Sequence, residues 1–127
     1  MKTKKSLVYA AEVLLLSLIL AACSSSSNSS FPTGKFVRSD NQDHGLIFNN
    51  DGTFTVFDGS ATLVHGKYST QSDTYTDESN DQNCPRMSFK YKFDGTNLTF
   101  NYVDKPADDP CDGRRGDFNT VTYTMAK

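Results

Sequence analysis

Met87-Ser88-Phe89-Lys90-Tyr91-Lys92-Phe93-Asp94-Gly95-Thr96-Asn97-Leu98-Thr99-Phe100-Asn101-Tyr102 is the stretch that decides the fold class. Met87, Phe89, Tyr91 and Phe93 fall on one face of an extended chain, while Ser88, Lys90 and Lys92 fall on the other. Side chains along a strand alternate between faces, so this pattern predicts a strand with one buried and one wet face. Asp94-Gly95 supplies a tight turn, and Leu98, Phe100 and Tyr102 then resume the apolar face.

The same pattern runs outward in both directions. Upstream, residues 45–49 and 53–57 flank Asn50-Asp51-Gly52 as a second hairpin, and Asp58-Gly59-Ser60 turns the chain into a strand at 61–69. Residues 34–39 give a first strand before a polar turn at 40–44. Residues 74–78 give a weaker, polar strand before a loop at 79–85. Both hairpins carry Asp-Gly-Thr, which points to shared turn chemistry and not to a duplicated unit. Downstream, residues 104–116 form a long acidic loop in which Pro106 and Pro110 discourage a helix, and 120–125 closes the chain with Val121, Tyr123 and Met125 alternating. No stretch beyond the leader carries a helical apolar stripe. The expectation is an all-β domain: a small eight-stranded antiparallel up-and-down β-barrel, whose closure removes the edges a lone sheet would expose.

Composition agrees with that class. The chain has 127 residues, 36% hydrophobic and 12% aromatic, without Trp. That is one domain at most. Its 13 Lys and Arg against 15 Asp and Glu give a formal charge of −2, and losing Lys2, Lys4, Lys5 and Glu12 with a leader deepens this to −4. A mildly acidic chain without a basic stripe offers no footing for nucleic acid.

Lys2, Lys4 and Lys5 begin the chain as a positive segment, followed by an apolar stretch densest over 13–20. That stretch falls short of the roughly 20 apolar residues that span a bilayer. It ends in Leu20-Ala21-Ala22-Cys23, which resembles the lipobox of bacterial lipoproteins. The resemblance implies a signal peptide at 1–22, cut before Cys23, with Cys23 lipidated (palmitate among its acyl chains) and bound to a membrane. Residues 24–30, almost all Ser, suit a flexible tether. Three segments are therefore expected: leader 1–22, lipidated Cys and tether 23–33, and barrel 34–127. Ser24 is not the aspartate that resembles an inner-membrane retention signal in enteric bacteria. The implied address is the bacterial envelope: the outer membrane, facing periplasm or surface, where two membranes exist.

With Cys23 used for lipid, Cys84 and Cys111 remain in an oxidising compartment, where such a pair most often bonds to itself. The loop closed is roughly 30 residues, for which chain entropy gives about 3–4 kcal/mol. A metal site or a redox pair fits less well, because C-x-x-C is absent and His44 and His65 lie far off in sequence.

Gly34-Lys35-Phe36 sits where lipocalins and related calycins carry Gly-x-Trp. Cys84, Tyr91, Phe93-x-Gly95, Leu98-Thr99-Phe100, Asp104, Cys111 and Arg114 together look similar to small bacterial lipocalin-like lipoproteins. The resemblance implies that Phe36 plugs one barrel end beneath a basic partner, Arg114 or Arg115. It also implies binding of a small, largely apolar molecule inside the barrel, without catalysis and without a cofactor. Phe54, Val56, Phe89, Tyr91, Phe100 and Tyr102 are the candidate lining, and filling of the barrel by these side chains is the competing role. Asp104, Asp108, Asp109 and Asp112 are candidates for Ca²⁺, though their spacing is not that of an EF-hand, and a solvated loop is the simpler reading. No G-x-S-x-G, H-E-x-x-H or P-loop occurs. The alternative is a protein-binding module, either an envelope-assembly partner or a surface inhibitor of an enzyme, using the loops that hold Cys84 and Cys111.

Overall fold

A computed structural model describes residues 30–127, so Cys23 and the leader lie outside the described residues. The chain folds into eight strands: β1 (Gly34–Arg38), β2 (His44–Phe48), β3 (Thr53–Asp58), β4 (Ala61–Gln71), β5 (Thr74–Ser79), β6 (Met87–Phe93), β7 (Asn97–Tyr102) and β8 (Thr122–Met125). Each pairs antiparallel with the next, and β1 pairs with β8 through Phe36 opposite Met125, which closes the barrel. The predicted hairpin is present in register, with Tyr91 opposite Phe100 and Phe93 opposite Leu98.

Turn chemistry explains the register. The Asp94 carboxylate accepts the backbone N–H groups of Thr96 at 2.9 Å and Asn97 at 2.6 Å, while Gly95 takes a φ of 100°. Asp51 does the same for Thr53 at 3.0 Å. An Asx side chain thus fixes each Asp-Gly-Thr turn, and glycine tolerates the left-handed backbone beside it.

The up-and-down order gives the barrel two unlike ends. At the hairpin end lie the short connections β2–β3, β4–β5 and β6–β7, together with the point where the chain enters. Phe31, assigned by sequence to the tether, is buried there among Phe48, Tyr68, Tyr75, Tyr91 and Phe100, with ring centroids 4.9 to 6.4 Å away. At the opposite end the long β7–β8 connection folds over the barrel. It holds a 3₁₀ turn at Pro106–Asp108 and a helix, α1, at Asp112–Asp117.

These helical turns form in the one segment left open to a helix, although Pro106 and Pro110 discourage one there. Pro106 opens the 3₁₀ turn, where its missing N–H costs nothing, and Pro110 stands before α1 and not within it. A six-residue helix with two glycines does not persist by propensity alone. Tertiary contacts hold it: Phe118, at its C-terminal boundary, inserts into the barrel 4.8 Å from Phe100 and 4.9 Å from Phe89. Phe36, Leu46, Phe48, Phe54, Tyr75, Phe89, Leu98, Phe100, Phe118 and Tyr123 are the largest buried apolar side chains. The lumen is an aromatic core. At its centre Tyr75 stacks between Phe31 and Phe118, and its hydroxyl is the one buried side-chain polar atom without a hydrogen-bond partner among the described residues.

Candidate functional site

The site begins with a local irregularity in the sheet. Val56 pairs with Val64 but Phe57 pairs with Thr62, so Leu63 is an extra residue, a β-bulge. On the other side of β4, the ladder with β5 begins only at Gly66 opposite Ser79. Residues 61–64 therefore bridge to β3 alone and diverge from the β5–β6 loop. Gly66 lets the divergence start close to Phe54: a Cβ there would meet the Phe54 ring at 2.9 Å and the Glu78 carbonyl oxygen at 2.2 Å.

The gap so formed is a cleft of about 360 Å³ beneath α1. Phe54, Val56, Leu63, Val64 and Phe118 give it apolar walls. Its charged lining is Asp77, Asp81, Asp112, Asp117 and Arg114, joined by the neutral Ser79 and Asn83. Cys84 and Cys111 form the predicted disulfide, with Cα atoms 4.7 Å apart, and both line the cleft. That bond fixes the β5–β6 loop against the start of α1.

Arg114 organises the floor. Its Nε and Nη2 donate to the two oxygens of Asp109, each at 2.7 Å, and its Nη1 donates to Asp77 Oδ1 at 2.9 Å. Asp109 also accepts the Tyr102 hydroxyl at 2.6 Å and the Cys111 backbone N–H at 3.0 Å. Asp77 is 1% exposed and Asp109 0%, so one guanidinium serves two buried carboxylates. Their environments split them. Burial pushes Asp77 up to about 6 against the pull of Arg114. Burial acts on Asp109 too, but the bonds from Arg114, Tyr102 and Cys111 outweigh it and hold this carboxyl below its ordinary range.

A second group borders the cleft. Asp117 Oδ1 lies 2.8 Å from His44 Nε2 and 3.3 Å from Arg38 Nη1. Burial raises this carboxyl, and His44 and Arg38 offset part of the rise. Among the described residues no cluster of His, Cys, Asp or Glu is arranged to hold a metal ion. The acidic loop is not simply solvated either, since Asp109 is an internal ligand of Arg114.

Of the residues singled out by sequence, Phe54 and Val56 line the cleft. Phe89, Tyr91 and Phe100 belong to the aromatic core, and Tyr102 packs on Phe89 while its hydroxyl reaches Asp109. Phe36 is buried against Phe48 and Phe93, whereas Arg114 is held by the two aspartates. No cation–π contact joins Phe36 to Arg114 among the described residues.

Sequence alone passed over Phe31, Asp77, Asp117 and Phe118. Asp77 left a usable signal, because it shares the inward register of β5 with Tyr75, and a carboxylate on an inward face calls for a cation. Comparison with models of protein families, with characterised proteins and with solved structures yields no match.

Proposed function

We propose that this chain is a lipid-anchored bacterial envelope lipoprotein whose barrel, lipocalin-like in plan, binds or carries a small, largely apolar ligand without catalysis. The observation that carries this reading is the cleft under α1. Its volume of about 360 Å³ and its apolar walls with a few convergent polar groups suit a small-molecule site. The lumen suits one less, because aromatic rings fill it from Phe31 to Phe118.

The anchor fits the same arrangement. Phe31 seats the entering chain at the hairpin end. A lipid on Cys23, reached through at most about 28 Å of extended tether, holds that end toward the membrane. The cleft then opens away from the bilayer, at the outer membrane where two membranes exist.

Native mass spectrometry of the protein purified from its own host tests the binding reading. A co-purifying small molecule is expected, and Val56→Trp, which fills the cleft, should abolish it. An unliganded mass in wild type, together with no uptake of an apolar probe, overturns the proposal.

A second reading has one observation in its favour. The Cys84–Cys111 bond ties two loops into a single surface beside the exposed Leu63. In this reading the surface docks an envelope protein. Capture of one defined partner from envelope extract should then fail on reduction, and retention after reduction argues against that surface.

A further inference from the structure

The charge inside the cleft narrows the ligand class. Asp77, which lines the cleft, and Asp109, which stands behind it, are both buried. Arg114 is the single cation paired with either carboxylate among the described residues, since Arg115 reaches only the Asp109 carbonyl oxygen; the floor carries one carboxylate more than Arg114 can neutralise. Three nitrogens of Arg114 already donate to carboxylate oxygens, which leaves an incoming anion to compete with two internal ones. The rim has the same sign. Asp81, whose carboxylate accepts from the backbone and side chain of Asn83, has no ion-pair partner among the described residues, and Asp112 is held by Arg115 at the surface. Apolar surface from Phe54, Val56, Val64 and Phe118 stands directly beside this uncompensated charge.

We propose that the cleft takes an organic cation, a primary or secondary amine on a compact apolar body, with its ammonium against Asp77 and its body along Val56, Val64 and Phe118. This rests on the ligand-binding reading above and adds the charge of the ligand to it. A buried carboxylate without full compensation is costly, and an ammonium delivered with its own apolar cover removes that cost. A neutral ligand fills the same volume without relieving the charge. An anionic ligand makes it worse.

The groups that face Asp77 set the pH behaviour. Arg114 from α1 is bonded to it, Asp109 shares that guanidinium, Tyr102 hydrogen-bonds to Asp109, and the buried Tyr75 hydroxyl belongs to the same strand. Without a cation, the excess charge is relieved by a proton on Asp77, in keeping with its raised pKa of about 6. Amine binding should therefore expel that proton at mildly acidic pH.

Isothermal titration of the full chain in non-ionic detergent, with 2-phenylethylamine, 2-phenylethanol and phenylacetate as probes, decides the matter. The amine should bind at least tenfold more tightly than the alcohol, and phenylacetate most weakly. Asp77→Asn keeps a hydrogen-bond acceptor for Arg114 but removes the charge. It should bring amine and alcohol affinities together. Titration of wild type at pH 5.5 in two buffers of different ionisation enthalpy gives a reading that needs no variant. Up to one proton should be released there, and none at pH 8. Equal binding of amine and alcohol in wild type, or no proton release at pH 5.5, overturns the cationic assignment while leaving a neutral-ligand cleft intact. Failure of all three probes overturns the assignment and counts against the cleft reading itself.

Discussion

Arg114 Nη1 lies 2.9 Å from Asp77 Oδ1, across 37 residues of sequence, and ties the cap helix to an inward position of β5. With Asp109 gripping the other side of the same guanidinium, the pair fixes α1 over one end of the barrel. The cleft exists because the helix is held there.

Removing Arg114 strands two buried carboxylates. Arg114→Ala should cost about 3–5 kcal/mol in denaturant unfolding, the usual penalty for breaking a buried ion pair from one side. Asp77→Asn, which keeps the hydrogen bond and sheds the surplus charge, should cost far less. Equal losses for the two variants would show that the two-to-one charge arrangement is not what matters.

Stability should carry the signature of Asp77. Its folded pKa, about 6, lies above the ordinary carboxyl value of 3.8, so the native state binds more protons than the unfolded state between those limits. The stabilisation is full below about 3.8 and is lost as pH rises through about 6. Asp109 runs the other way: its lowered pKa contributes stability above the ordinary range that is lost on acidification. Comparing wild type with Asp77→Asn cancels Asp109 and Asp117 to first order. The stability of wild type relative to the variant should fall between pH 4.5 and pH 7.5, as measured by paired denaturant melts. A rise over that interval would contradict the assignment.

Phe31 is predicted to be part of the folded unit. Phe31→Ala removes a ring packed against five aromatic neighbours and should destabilise by about 3 kcal/mol. Thermal melts of the variant check this, and a loss under about 1 kcal/mol would return Phe31 to the tether.

Tyr75→Phe should be neutral or stabilising by about 1 kcal/mol, because it deletes a buried hydroxyl without a partner and keeps the stacked ring. A melting curve measures the difference. A clear loss of stability would reveal a hydrogen bond to that hydroxyl.

The barrel was legible because strand alternation and Asp-Gly turns are local signals. Residues 87–102 state both faces of a hairpin outright, and Asp51 and Asp94 make the turns their positions imply. The strand placed at 61–69 runs on to Gln71, because Thr70 and Gln71 pair with Tyr75 and Thr74 of β5. The cap was not legible. Helix α1 owes its existence to Phe118, Arg114 and the disulfide, contacts that join distant parts of the chain and leave no periodic trace. Phe31 was hidden by its place after a serine run. The candidate ligand residues were half informative: the inward face of β3 reaches the cleft, while that of β6 and β7 is consumed by the core.

The proposed ligand site is the cleft under α1 and not the lumen. The most direct measurement is NMR chemical-shift mapping of the protein titrated with 2-phenylethylamine and, separately, with 2-phenylethanol. Shifts should gather on Val56, Leu63, Val64, Gly113 and Phe118. Shifts gathered instead on Phe89, Leu98 and Phe100, or no saturable shifts with either probe, would contradict it.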